Sequence, residues 1–262
     1  MATSPKPRAL LDVRPFPRRR KIVNGALRGG KRRAPVHALV EVDVTNARNS
    51  LAKMPARPSL TAFVVVCVAR TVTDNPEVHA YRDWRGRLVI HRGVDIATMV
   101  ETDTPEGPVP FAHVVRGAER RSVEDVGSEI RLVKSDPTES RTGSLLVRMG
   151  PTLARVPFAM RTFYWLLDRS IWLRSMSGTV SVTSVGMFGT GGGFGIGFPT
   201  LMTLGVLVGG VSKKARVIDD KIEIREVLDL TVTADHKIVD GAPLARFVAD
   251  LRALMESGSV LD

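Results

Sequence analysis

At 262 residues, 44% apolar and 25% charged, the chain can bury a sizeable core as one large or two small domains, and one is expected. Its single cysteine, Cys67, excludes an internal disulfide framework and a cysteine-rich zinc site. The formal charge of +11 is concentrated at the N-terminus, where residues 1–33 hold eleven Lys or Arg against Asp12 alone. Such an arm suits phosphates, anionic lipid or an acidic partner. With only Phe16 among those charges and no recognised nucleic-acid module, sequence-specific nucleic-acid binding is not expected. The same arm shows no apolar leader with a small-residue cleavage site, so cytoplasmic residence is expected. The nearly uncharged stretch Thr190–Ser212 is broken by glycines and Pro199, which argues against a membrane span.

In chain order, residues 1–17 read as an irregular Pro/Arg-rich arm and 18–262 as a single domain. Arg18–Leu27 suits a short helix ending at Gly29-Gly30. Val36–Val44 alternates as a strand does, and Thr45 then stands where a helix cap is needed for a helix through Ala52. Ser59–Asp74 is rich in β-branched residues, yet Leu60, Phe63, Val64, Cys67 and Val68 keep helical spacing behind a capping serine. Cys67 lies within that apolar run and reads as a small buried residue. Leu88–Arg92, Val94–Val100 and Pro108–Val115 are extended, and Ser122–Lys134 is an amphipathic helix with an acidic first turn. A helical insertion near 145–177 follows, holding Phe158, Phe163, Tyr164, Trp165 and Trp172 among its arginines. It suits added core, a substrate entrance, a partner or a membrane surface.

The segment Gly189–Gly197 is crowded with glycine but matches neither Gly-x-Gly-x-x-Gly nor a phosphate loop, so it reads as a flexible or closely packed loop at a site. Asp219-Asp220-Lys221 reads as an ordinary turn between strands. The most specific feature comes last. Leu228–Ala234 is an apolar strand, and His236-Lys-Ile-Val-Asp240-Gly241 follows it, with Gly241 where the backbone is expected to turn sharply. An amphipathic helix then carries Leu244, Phe247, Val248, Leu251 and Leu254 on one face. An imidazole titrates near neutral pH and can take a proton from a thiol or an alcohol, which is what acyl transfer requires.

The His-x-x-x-Asp-Gly pattern resembles the active-site motif of the chloramphenicol acetyltransferase superfamily. The wording around it is most similar to the acyltransferase core of the 2-oxo-acid dehydrogenase complexes. Other words in the same order extend the resemblance over about residues 14–258, among them His37-Ala-Leu-Val-Glu-Val-Asp-Val-Thr and Gly178-Thr-Val-Ser-Val-Thr-Ser-Val-Gly. The resemblance implies an α/β, chloramphenicol acetyltransferase-like two-layer mixed sheet with flanking helices, assembled as a homotrimer or a larger cage. It implies His236 as general base and Thr183, with Ser184 adjacent, as donor to the oxyanion. It also implies Asp240 as a structural acid paired with Arg18 or Arg20, and Ser184 and Gly241 beside the coenzyme. Coenzyme A or acyl-CoA would be a substrate, no metal is implied, and the lipoyl group would come from another chain, since no lipoyl or subunit-binding segment is recognised. Lipoyl-bearing proteins or dehydrogenase subunits are then the expected partners. Two other readings stay open: a non-catalytic trimeric scaffold, and a transferase acting on a small alcohol or amine.

Overall fold

The structure is a computed structural model that describes residues 12–15, 24, 27, 30–104, 107–140, 162, 165–166, 170–185, 191–199 and 201–261, without the side chains of 102–104 and 107–109. Most of the expected helix at Arg18–Leu27 and most of the 145–177 insertion fall outside those residues, although Asn24, Leu27 and Gly30 are described and helical.

The strands are β1 (Pro35–Asp43), β2 (Tyr81–Arg82), β3 (Leu88–Val89), β4 (Ile96–Thr104), β5 (Gly107–Val115), β6 (Val180–Ser184), β7 (Leu204–Ile218) and β8 (Lys221–Asp235). Six of them form one mixed sheet in the order β1-β8-β7-β6-β4-β5, with β2 and β3 pairing apart. Only the β4–β6 and β6–β7 pairs are parallel. The helices are α1 (Thr45–Lys53), α2 (Leu60–Asp74), α3 (Val123–Ser135), α4 (Ile171–Met176) and α5 (Gly241–Ser257).

Alternation along each strand decides which face is covered. Val42, Ile96, Val180, Val182, Leu204, Val206, Leu228, Leu230 and Val232 join α2, α3 and α5 in one apolar cluster. Helix α2 lies at its centre. Residues Ala62 to Ala69 of this helix are all fully buried, so its Val-rich sequence, poor in helix propensity, is held helical by packing on every side. Ser59 caps it by accepting from the Ala62 amide at 3.2 Å, and Ser122 caps α3 through Asp125 at 3.1 Å. Thr45 does not do the same for α1. Val44 is the residue at the cap position, and the Thr45 hydroxyl accepts from the Glu226 amide at 2.8 Å, tying the helix start to β8. The expected strand Leu88–Arg92 is only two residues long because its one partner is the two-residue β2.

On the opposite face the glycine-rich segment lies flat across β7. The Gly193 amide donates to Asp229 Oδ2 at 2.5 Å, and the Gly210 amide donates to the Gly193 carbonyl at 3.1 Å. A Cβ on Gly209 would stand 2.4 Å from the Gly193 carbonyl oxygen and one on Gly210 2.4 Å from that of Gly191. The segment is therefore a closely packed strap: glycine on both sides lets two backbones touch over the bulge between Val208 and Val211. Beyond the bulge β7 and β8 continue as a two-stranded ribbon. It closes at Asp219-Asp220, both with positive φ, the geometry a two-residue hairpin turn demands.

Candidate active site

The histidine turn is built from the end of β8. Asp235 is 3% exposed, and its carboxylate is fully engaged: Arg33 Nη1 donates to Oδ2 at 3.0 Å, while the amides of Ala34 and Lys237 donate to Oδ1 at 3.0 and 3.2 Å. Arg33 reaches on to the Leu201 carbonyl at 2.6 Å, and the His236 amide donates to the Ala34 carbonyl at 2.8 Å. The amides of Ile238 and Val239 fold back on the Asp235 carbonyl and close the turn. One buried ion pair and these backbone bonds thus fix where the imidazole leaves the sheet.

The ring itself is open, with 54% of the His236 side chain exposed. Its Nδ1 lies 3.1 Å from the Val239 carbonyl oxygen. A carbonyl only accepts, so Nδ1 carries the proton of the neutral ring and Nε2 is left with its lone pair facing outward. That is the tautomer a general base needs.

Asp240 stands at the N-cap of α5, 86% exposed, with one carboxylate oxygen 3.8 Å from His236 Nδ1. The positive end of the α5 dipole favours its charge. Arg18 and Arg20, the expected partners of Asp240, lie outside the described residues. The arginine–acid pair that secures the turn in the described structure is Arg33–Asp235. Its acid was in plain view next to the histidine, but its arginine is 202 positions away, and nothing local marks the match. Gly241 requires correction. It is the first residue of α5, without a positive φ, and a Cβ there would meet nothing within 4 Å, so no sharp turn explains the glycine.

Thr183 and Ser184 end β6, both half-buried, on a different part of the sheet from His236. Thr183 pairs with Leu207, and Leu207 with Thr231, five residues before His236. Two strand spacings across and five residues along place the two Cα atoms roughly 20 Å apart. One copy of the chain therefore does not bring Thr183 to its own His236. Thr183 instead lines a small, half-open cavity of about 60 Å³, bounded by Ser181, Gly205, Leu207 and Thr233, flanked by Gly197–Pro199, and reaching Met202 and the Arg33–Asp235 pair.

Cys67 is fully buried inside α2, and burial pushes its thiol pKa up, the opposite of what a nucleophile needs. Among the described residues no group of three His, Cys, Asp or Glu side chains is placed to hold a metal ion, and no helix is long and apolar enough to cross a membrane.

Residues 171–261 match the family model for the catalytic domain of the 2-oxoacid dehydrogenase acyltransferases. The chain is 24% identical, over 99% of its length, to the dihydrolipoyllysine-residue acetyltransferase component of the pyruvate dehydrogenase complex of Acholeplasma laidlawii. It is 26% identical, over 91% of its length, to the lipoamide acyltransferase component of the branched-chain alpha-keto acid dehydrogenase complex of Bacillus subtilis. It spans 43% and 50% of those relatives. In fold it is similar to the dihydrolipoamide acetyltransferase of Azotobacter vinelandii, with a TM-score of 0.68, 19% identity and 100% of both chains covered. That structure belongs to an investigation of the roles of a serine, a histidine and an asparagine in the catalytic mechanism of that enzyme. A chloramphenicol acetyltransferase matches at a TM-score of 0.51 and 15% identity over 94% of this chain and 98% of its own.

Proposed function

We propose that this chain, a member of the 2-oxoacid dehydrogenase acyltransferase catalytic-domain family with the chloramphenicol acetyltransferase-like fold, moves an acyl group between coenzyme A and a dihydrolipoyl thiol. The observation that carries the reading is the exposed His236 ring, with its proton held at Nδ1 by the Val239 carbonyl and Nε2 left to accept. Nε2 takes the proton of the attacking S–H, and the thiolate adds to the thioester carbonyl carbon, forming the new C–S bond and a tetrahedral oxyanion. Collapse breaks the old C–S bond, and the imidazolium returns its proton to the departing thiolate. Protein atoms and protons are unchanged at the end of the cycle.

The oxyanion needs a donor, and Thr183 supplies it from a second copy, since roughly 20 Å of sheet separates it from the His236 of its own chain. A homotrimer with sites between neighbours satisfies this requirement. Ser184 and Gly241 flank the two halves of such a site. Asp240, beside the ring, stabilises the imidazolium that forms during attack. A dihydrolipoyl arm of a dehydrogenase complex is the partner this reading implies. His236→Ala, assayed with acyl-CoA and free dihydrolipoamide, should lower kcat by at least about a hundredfold, the scale of a lost general base. An unchanged rate removes His236 from the chemistry.

A further inference from the structure

The small cavity beside Thr183 has a further consequence, which rests on the acyl-transfer reading. A carbonyl oxygen held by the Thr183 hydroxyl places the tail of the acyl group, bonded to the same carbon, at the wall that Thr183 shares with Leu207 and Gly205. The lining is mostly apolar, with Leu207, Phe198 and Met202 as its large side chains. On a measure in which one water-sized group takes ~10–15 Å³, its 60 Å³ holds roughly four to six non-hydrogen atoms. The methyl of an acetyl group would leave most of that space unfilled.

The charges at the far end are already used. Arg33, the only cation among the described lining residues, is bonded to Asp235 and to the Leu201 carbonyl. A carboxylate on the acyl tail would meet a neutralised ion pair beside an acid and lose its water without compensation. The floor is equally specific. Gly205 faces the cavity in the row Ser181–Gly205–Thr233, and a Cβ there would come 2.8 Å from Ser181 Oγ, so the space exists because this position has no side chain.

We propose that this cavity is the acyl pocket of the chain, built for a short, uncharged, apolar acyl tail of about four to six carbons, in preference to acetyl or to a dicarboxylic acyl group. Gly205 sets its depth, and Leu207 and Phe198 set its width.

The test is a series of acetyl-, isovaleryl-, hexanoyl-, decanoyl- and succinyl-CoA with dihydrolipoamide and the full chain. Isovaleryl or hexanoyl should exceed acetyl in kcat/KM by at least about tenfold, the lower end of what added methylenes contribute in an apolar pocket, with decanoyl and succinyl falling below them. Gly205→Ala should lower kcat/KM for isovaleryl more than for acetyl, reducing the isovaleryl preference by about tenfold, while Leu207→Ala should move the optimum toward longer tails. Dissociation constants of the same acyl-CoAs for the His236→Ala protein should follow the same ranking without turnover. Transfer that is blind to tail length, or best with acetyl, overturns the pocket and leaves the transferase standing. No transfer of any acyl group, with no ranking in binding, overturns both.

Discussion

At the scale of single residues, the account turns on a buried acid, Asp235, beside an exposed imidazole, His236. Asp235 holds three donors at the foot of His236, and Arg33 is the only charged one. Removing one partner of a buried pair leaves the other uncompensated, at a cost of about 3–5 kcal/mol. The two amides that stay on Asp235 should keep the loss near the lower end. Arg33→Met is therefore expected to cost about 3 kcal/mol in denaturant unfolding and to lower kcat as the histidine turn loosens. Wild-type stability in that variant would show that the pair does not secure the turn. The histidine of this site could be read directly from its neighbours in sequence, because strand, turn and helix signals are local. Its anchor could not, because a contact across 202 residues leaves no mark on the positions beside it.

At the scale of elements, the β2–β3 hairpin is docked through a cluster of rings. His79 is 2% exposed, edge-on to His91 at 5.5 Å, while Tyr81 stacks on His91 and lies under the Arg174 guanidinium of α4. Burial, and secondarily the nearby His91, hold the His79 pKa down at about 4 from an ordinary 6.5. The unfolded chain then binds the proton that the folded one refuses. The stabilisation is complete above about pH 6.5 and is lost as pH falls toward 4, by ~3 kcal/mol at most. His91, also held below its ordinary value chiefly by burial, adds to the loss in the same window, while Asp43, Asp125 and Glu129, held below their ordinary values, add theirs from about pH 4.5 downward. His79→Gln should flatten the loss between pH 6.5 and 4 in unfolding measurements; an undiminished slope would assign it elsewhere.

The elements themselves were largely legible. The central helix was recognised from spacing although its residues favour strands, because a stripe of apolar positions survives when propensity is overridden. What sequence reading misplaced were features decided by distant chain. Thr45 bonds to β8 rather than capping α1, and β3 is cut short by the length of β2. The strap across β7 was seen as a run of glycines, but only the fold reveals that Gly209 and Gly210 are the surface it lies on.

At the scale of the whole molecule, the sheet sets the geometry of function. A mixed sheet with helices on one face leaves the other to the strap, the hydroxyl-bearing strand β6 and the cavity beside Thr183. The histidine stands at the end of β8 and the threonine near the end of β6, about 20 Å away, so chemistry that uses both joins two copies. The exposed Val217, Ile222 and Ile224 of the β7–β8 ribbon, 72%, 79% and 75% exposed, are further apolar surface of a kind that assemblies cover.

The most direct measurement is complementation between two inactive proteins. On the proposed mechanism His236→Ala removes the base, and Thr183→Ala removes the oxyanion donor, a loss of about 10²–10³ in kcat. Co-expressed and co-purified, they should recover about a quarter of the wild-type rate, because random assembly pairs an intact histidine with an intact threonine at one interface in roughly four. A mixed assembly no more active than its parents would place both residues in one chain's site, or outside the chemistry altogether, and the shared-site account would fail.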